Sequence, residues 1–234
     1  MLQAKCLGVN YGAVRALVDV SFTIHPGDSI AVMGPSGSGK TTVLHCASGL
    51  LNPHRGTVIF NGVEMGSLKD RGRAAIRLRN FGFIFQRADL IAEMTLLENI
   101  MLPLRVLGEK PQTCSIQATS LARELGIDDC MQRKPALVSG GQRQRAAIAR
   151  ALIARPSIIF ADEPTGALDS VNREGVLQLI SQQCLSTGAA LLMVTHDPDT
   201  ARICQQQWRM HDGQLLNPPA QRVNSKPTAH GRFT

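Results

Sequence analysis

Residues Gly34-Pro35-Ser36-Gly37-Ser38-Gly39-Lys40-Thr41 spell G-x-x-x-x-G-K-[ST], a pattern that admits very few folds. Its glycines let the backbone wrap a phosphate, so that several N–H groups converge at the positive end of a following helix. It therefore needs a strand before it and a helix after it. Ser29-Ile30-Ala31-Val32-Met33 is short and apolar, the pattern of a strand buried on both faces. Thr42 to Ser48 contains neither Gly nor Pro and can continue as a helix. The motif's fixed positions match by accident in roughly one chain per hundred, and the correct flanks lower that further. The stretch reads as a nucleoside triphosphate site, contacted by Gly34, Pro35, Ser36, Gly37, Ser38, Gly39, Lys40, Thr41 and Thr42. In such a loop the lysine reaches the β- and γ-phosphates and the Thr41 hydroxyl binds Mg²⁺.

Composition limits what surrounds this site. The 234 residues suit one large α/β domain or two small lobes. No apolar run approaches the ~20 residues that span a bilayer. Met1-Leu2-Gln3-Ala4-Lys5 lacks the apolar core of a signal peptide, so the chain is expected to stay in the cytoplasm where it is made. The six cysteines, Cys6, Cys46, Cys114, Cys130, Cys184 and Cys204, form no C-x-x-C pair and read as free thiols, several of them core fillers.

Twenty-five basic residues against eighteen acidic ones leave a net charge of +7. The excess gathers at Lys69, Arg71, Arg73, Arg77, Arg79 and Arg87, and again at Arg143, Arg145, Arg150 and Arg155. Aromatics are only 4% and no stacking platform is interleaved with these charges, so nucleic acid is not an expected partner. Solvated faces, or closeness to an anionic membrane surface, account for them.

Residues 2–9 and 16–25 read as strands separated by a turn at Asn10-Tyr11-Gly12, with a second turn at His25-Pro26-Gly27-Asp28. Thr57-Val58-Ile59-Phe60 is a strand ending on the hairpin signal Asn61-Gly62. Phe81-Gly82-Phe83-Ile84-Phe85 is a short buried strand that ends at Gln86. From about 87 to 138 strand-like runs vanish, and helices around 96–107 and 113–125 form a lobe inserted between sheet elements. A helix over 141–154, the apolar strand Ser157-Ile158-Ile159-Phe160-Ala161, a helix over 170–186 and the strand 190–195 complete a βαβ pattern. The Pro-rich tail 217–234 carries Arg222, Lys226 and Arg232 and no acid, and is expected to be disordered.

A phosphate loop alone says only that a nucleotide is bound. Val138-Ser139-Gly140-Gly141-Gln142, followed by Arg143-Gln144-Arg145 and Ala146 to Leu152, resembles the signature of ATP-binding-cassette (ABC) ATPases, where Leu is usual at the place of Val138. Ser-Gly-Gly at a helix start is in its own right an anion site, with small residues, free N–H groups and a positive dipole end. Ile158-Ile159-Phe160-Ala161-Asp162-Glu163-Pro164 is similar to the family's Walker B strand. Two acids at the C-terminal end of a buried strand stand where ligand chemistry sits in α/β folds.

The resemblance covers residues 2 to about 216 and implies an α/β fold of the ABC type. That fold is a mostly parallel core sheet, an N-terminal antiparallel β-subdomain and an inserted α-helical subdomain, all within one ATPase domain over 1–216. It implies ATP and Mg²⁺ as cofactors. Asp162 then holds Mg²⁺ through water, Glu163 is the general base for the attacking water, and His196, in Val194-Thr195-His196-Asp197, bonds the γ-phosphate. Gln86 occupies the Q-loop position beside Mg²⁺. Tyr11, the only tyrosine, stacks on adenine, and Ala167-Leu168-Asp169 fits the D-loop at a dimer seam. Ser139, Gly140, Gly141 and Gln142 of one copy close over the ATP of another, which implies an ATP-sandwiched homodimer.

Gly82 to Gln86, Thr95-Leu96-Leu97-Glu98-Asn99-Ile100 with Leu102-Pro103-Leu104, and Ala161 to Gly166 narrow the likeness to the lipoprotein-release, macrolide-export and cell-division branch. The partners implied there are four-helix permeases with large extracytoplasmic domains, with the chain peripheral on the cytoplasmic face of the cell membrane. Cargo specificity resides in the permease. Leu137 stands where a polar residue is usual and Ala167 where Asn is common. The alternative is an ATPase of the same kind that drives cell-wall hydrolases through a permease-like partner. Chromosome-organising relatives need coiled-coil arms of hundreds of residues between Gln86 and the signature, where this chain has only 87–138. Translation-associated relatives need two cassettes, and there is one.

Overall fold

The computed structural model describes residues 1–166, 168 and 170–216 of the chain, with backbone alone at 170–172. In chain order the elements are β1 (Leu2–Tyr11), β2 (Val14–Ile24), β3 (Ser29–Met33), α1 (Lys40–Ala47), β4 (Arg55–Phe60), β5 (Val63–Glu64), α2 (Asp70–Asn80) and β6 (Phe81–Phe85). Then follow α3 (Leu96–Val106), α4 (Pro111–Glu124), α5 (Gly140–Leu152), β7 (Ile158–Asp162), α6 (Ser170–Thr187), β8 (Ala190–Thr195), α7 (Pro198–Ala201), β9 (Gln206–His211) and β10 (Gln214–Leu215).

One sheet has the order β2-β1-β4-β5 and is antiparallel; the other runs β10-β9-β3-β8-β7-β6 and is parallel except at β10. This is the expected α/β architecture, an antiparallel sheet beside a mostly parallel one. The elements described between β6 and β7 are all helices, and the two strands pair directly with each other.

The parallel strands read as unbroken apolar runs because each face meets a different core. On β3, Ile30 and Val32 face the antiparallel sheet and α1, whereas Ala31 faces the helices. On β7, Ile158 and Phe160 divide from Ile159 and Ala161 in the same way, as do Leu192 and Val194 from Leu191 and Met193 on β8. Side chains alternate across a strand with a period of two, so two cores leave no polar position. An aromatic chain ties the sheets together: Phe60 on β4 lies 4.8 Å from Phe81, and Phe81 lies 5.1 Å from Phe160, both edge-on. Truncating Phe160 to Ala would cost about 3–5 kcal/mol.

One local expectation shifts, and two elements are added. The turn after β1 falls at Gly12-Ala13, because Tyr11 still pairs with Val14 across the hairpin. The basic stretch from Asp70 is a helix, α2, which buries no residue fully and so offers no continuous apolar face to read. β9, with its buried Trp208, adds a strand beside β3 that its mixed sequence does not advertise. The Asn61-Gly62 hairpin is as expected, both residues having positive φ, 47° and 83°. The tail 217–234 lies outside the described residues.

Candidate active site

The loop from Gly34 to Gly39 joins β3 to α1 at the C-terminal edge of the parallel sheet. Two of its glycines are dictated by close approach. A Cβ on Gly34 would lie 2.2 Å from the Met210 carbonyl of β9, and one on Gly39 would lie 2.3 Å from the Ala16 carbonyl of β2. The loop is thus pressed between both sheets. Inside it Lys40, only 9% exposed, donates its ammonium protons to the Gly34 and Pro35 carbonyls, each at 2.9 Å. Among the described residues, the Ser38 hydroxyl is buried without a hydrogen-bond partner.

The Walker B strand β7 lies two strands from β3, with β8 between them. That order brings Thr41 and Asp162, 121 residues apart, together: the Thr41 hydroxyl donates to Asp162 Oδ1 at 3.3 Å. Burial pushes the Asp162 carboxyl above the usual carboxylate range, against the Thr41 hydrogen bond. Two oxygen donors of this kind, one a carboxylate, suit Mg²⁺, which takes few protein ligands beside substrate phosphates.

Glu163 follows with φ at 46°, a left-handed backbone that costs a non-glycine residue roughly 1–2 kcal/mol. Its amide donates to the Val194 carbonyl at 3.0 Å and its own carbonyl accepts from Gly166 at 3.0 Å. The backbone is therefore held in this conformation from both sides, which turns the side chain toward the end of β8. There Oε2 accepts from the Thr195 hydroxyl at 3.2 Å, and Oε1 accepts from the His196 amide at 3.0 Å and from His196 Nδ1 at 2.7 Å. The last bond places the His196 Nδ1 proton on the glutamate side and leaves Nε2 outward.

Asp197 anchors the next turn. It accepts from Thr200 at 2.9 Å, from Arg173 at 3.0 Å and from the Asp199 amide at 3.0 Å. Burial raises its carboxyl, but these hydrogen bonds and the Arg173 charge hold it below the usual range.

Gln86 opens the turn after β6, exposed, and lies beside Gly166, where a Cβ would meet its amide nitrogen at 2.7 Å. Gln86, Asp162, Glu163 and His196 are therefore carried by neighbouring strand ends of one sheet. Ala88 and Asp89, just after Gln86, both have left-handed backbones, at φ 61° and 44°.

Ser139 is placed elsewhere. It caps α5, its hydroxyl accepting from the Gln142 amide at 3.2 Å while Gln142 Oε1 accepts from the Ser139 amide at 3.0 Å. The amides of Gly140 and Gly141, in the first turn, have no intrahelical carbonyl to bond. No hydrogen bond joins 139–142 to the phosphate loop among the described residues. Leu137, just ahead, is 69% exposed. Tyr11, 53% exposed, stands at the β1–β2 hairpin. Ala167 and Asp169 lie outside the described residues.

Sequence reasoning passed over Thr195, Gln144 and Arg150. Thr195 is buried at the end of β8 and grips Glu163. Gln144 and Arg150 bond carbonyls of the Gln86 turn from α5. Gln144 lies inside the signature, but a glutamine and an arginine on a helix read locally as a solvated face.

The comparisons with known proteins agree with this geometry. The family described as ABC transporter matches residues 17–166. The chain is 40% identical over 219 residues to the lipoprotein-releasing system ATP-binding protein LolD of Alcanivorax borkumensis, covering 92% of this chain and 96% of that protein. It is 43% identical over 220 residues to the ABC transporter ATP-binding protein YxdL of Bacillus subtilis, covering 93% and 86%. Two dimeric structures of the ABC transporter cassette MJ0796, one of them in a post-hydrolysis state bound to ADP and Pi, are 34% and 35% identical to it. Each has a TM-score of 0.87 over 93% of this chain and 97% of that one. Its motifs, its two sheets and these likenesses make the chain a member of the ABC transporter family, as an ATP-binding subunit close to the LolD and MJ0796 type.

Proposed function

We propose that this chain hydrolyses ATP with Mg²⁺ between two of its copies and transmits the resulting motion to a permease on the cytoplasmic face of a membrane. The observation that carries this reading is the Glu163 carboxylate, fixed by Thr195 and His196 beside the Thr41–Asp162 pair. Lys40 and the loop amides of 34–42 bind the phosphates. In binding, Lys40 exchanges two neutral carbonyl acceptors for charged phosphate oxygens. Thr41, Asp162 and Gln86 would hold Mg²⁺, which when bound neutralises charge on the β- and γ-oxygens. Glu163 takes the proton of the attacking water as its oxygen bonds the γ-phosphorus and the bond to the ADP oxygen breaks. His196 donates a ring N–H to the γ-phosphate, and Tyr11 stacks on the base.

The signature acts in trans. One chain carries one phosphate loop and one Ser139-Gly140-Gly141-Gln142 start, which do not meet within it, so two copies make two composite sites. Asp169 lines the seam. Residues 1–216 form the ATPase domain and 217–234 a basic extension. A groove of about 400 Å³, lined by Leu78, Phe83 and Phe85 together with the charged Arg77, Asp89 and Arg150, offers the permease a seat of mixed character. Likeness to a lipoprotein-releasing system protein supports export or mechanical transmission over import.

Glu163→Gln tests the reading. It should lower kcat by about 10²–10⁴-fold, the usual contribution of a general base. ATP binding should persist, and a monomer should become a stable dimer on adding ATP, as read by size-exclusion chromatography. A variant that stays monomeric at saturating ATP, or hydrolyses normally, sinks it.

A further inference from the structure

One helix holds the Gln86 turn from both sides. α5 begins at the signature and carries two residues whose side chains reach back to that turn. Gln144, 3% exposed, donates its amide to the carbonyl of Phe85, the residue before Gln86, at 3.1 Å. The same amide donates to the carbonyl of Pro164, the residue after Glu163, at 2.7 Å. Arg150, near the far end of α5, donates to the Ala88 carbonyl at 2.9 Å and the Asp89 carbonyl at 2.7 Å. These are the two consecutive left-handed residues, a backbone that persists only where its surroundings over-determine it. A buried amide and a guanidinium thus fix four carbonyls, three of them within three residues of Gln86.

We propose that Gln144 and Arg150 are positioning residues, which bind the Gln86 turn to the signature helix so that closure of Ser139 over ATP and placement of Gln86 occur as one movement. The proposal rests on the hydrolytic reading above. Arg150 has no hydrogen bond to the phosphate loop or to Glu163, so it reaches Gln86 through the turn. Gln144 links the same helix to the Pro164 carbonyl, one residue after Glu163, as well.

A double-mutant cycle of ATP hydrolysis decides it, using the full chain as wild type, Arg150→Met, Gln86→Ala and both. Arg150→Met should lower kcat by about tenfold, the scale of losing a hydrogen bond to a charged group, with KM for ATP unchanged. In the Gln86→Ala background the same change should lower kcat by less than about twofold, because the residue it positions is gone. Arg150→Lys, which can reach one carbonyl, should restore part of the loss, and it replaces Arg150→Met throughout if that variant fails to fold. An equal loss in both backgrounds, or an effect confined to KM, overturns the proposal. Amide hydrogen exchange separates it from the hydrolytic reading. Arg150→Met should speed exchange over 86–91 and leave 34–41 unchanged, even if the wild-type chain hydrolyses nothing. Unchanged exchange over 86–91 also overturns it.

Discussion

The two phosphate-facing helix starts of this chain are built in opposite ways. At the start of α1 the enclosure is supplied by distant parts of the fold: β9 and β2 press on the loop, and Asp162 reaches Thr41 across the sheet. Lys40 is 9% exposed there. At the start of α5 everything is local. Ser139 and Gln142 satisfy each other three residues apart, and Leu137 beside them is 69% exposed. A site enclosed by its own chain binds ligand alone, whereas one that is only a capped helix end needs an opposing surface to become a site. On the function proposed above, the same chain holds one half that binds nucleotide and one half that completes a pocket on another copy.

The largest expected effect crosses the two halves. Lys40→Ala should weaken ATP binding by at least about 100-fold, since two or more hydrogen bonds to a charged group are lost. Ser139→Arg should leave binding to the loop within about twofold while abolishing the ATP-dependent dimer of the Glu163→Gln chain. Titration calorimetry and size-exclusion chromatography read the two arms. Normal dimerisation by Ser139→Arg, or normal binding by Lys40→Ala, would erase the distinction.

A smaller effect concerns pH at the enclosed half. Burial raises the Asp162 carboxyl, and Mg²⁺ requires its charged form. The folded-state value lies above the unfolded one, so the ionised group costs stability above it and the cost disappears as pH falls through it. Metal binding runs the other way. The Mg²⁺ concentration for half-maximal hydrolysis should rise as pH falls, approaching about tenfold per unit below that raised value. It should begin to rise at a pH above the ordinary carboxylate range. A pH-independent requirement would remove Asp162 from the metal site.

The smallest effect is at the edge of the enclosed half, where Tyr11 is 53% exposed. Base stacking is worth about 1–3 kcal/mol and is made alike in ground and transition states. Tyr11→Ala should therefore raise KM for ATP by about tenfold with kcat unchanged. A loss in kcat alone would place this tyrosine elsewhere in the cycle.

The sequence by itself determined the segments whose chemistry is local. The phosphate loop, the paired acids closing an apolar strand, the Ser-Gly-Gly helix start and the central strands are each specified by residues within a few positions, through backbone freedom, capping and side-chain period. Buried strands with no polar position also announced that both faces of the sheet are covered. The long-range arrangement was beyond it. Only the strand order put Thr41 against Asp162, and only the packing of β9 explained why Gly34 admits no side chain. α2 buries no residue fully and packs only the half-buried Ile76 on the core, so no continuous apolar face marked it as a helix. Thr195, Gln144 and Arg150 have ordinary neighbours in sequence, and their partners lie 32, 59 and 62 residues away. Such pairings depend on topology and register, which a local pattern does not contain, so the tertiary structure alone decided which side chains hold Glu163 and Gln86 in place.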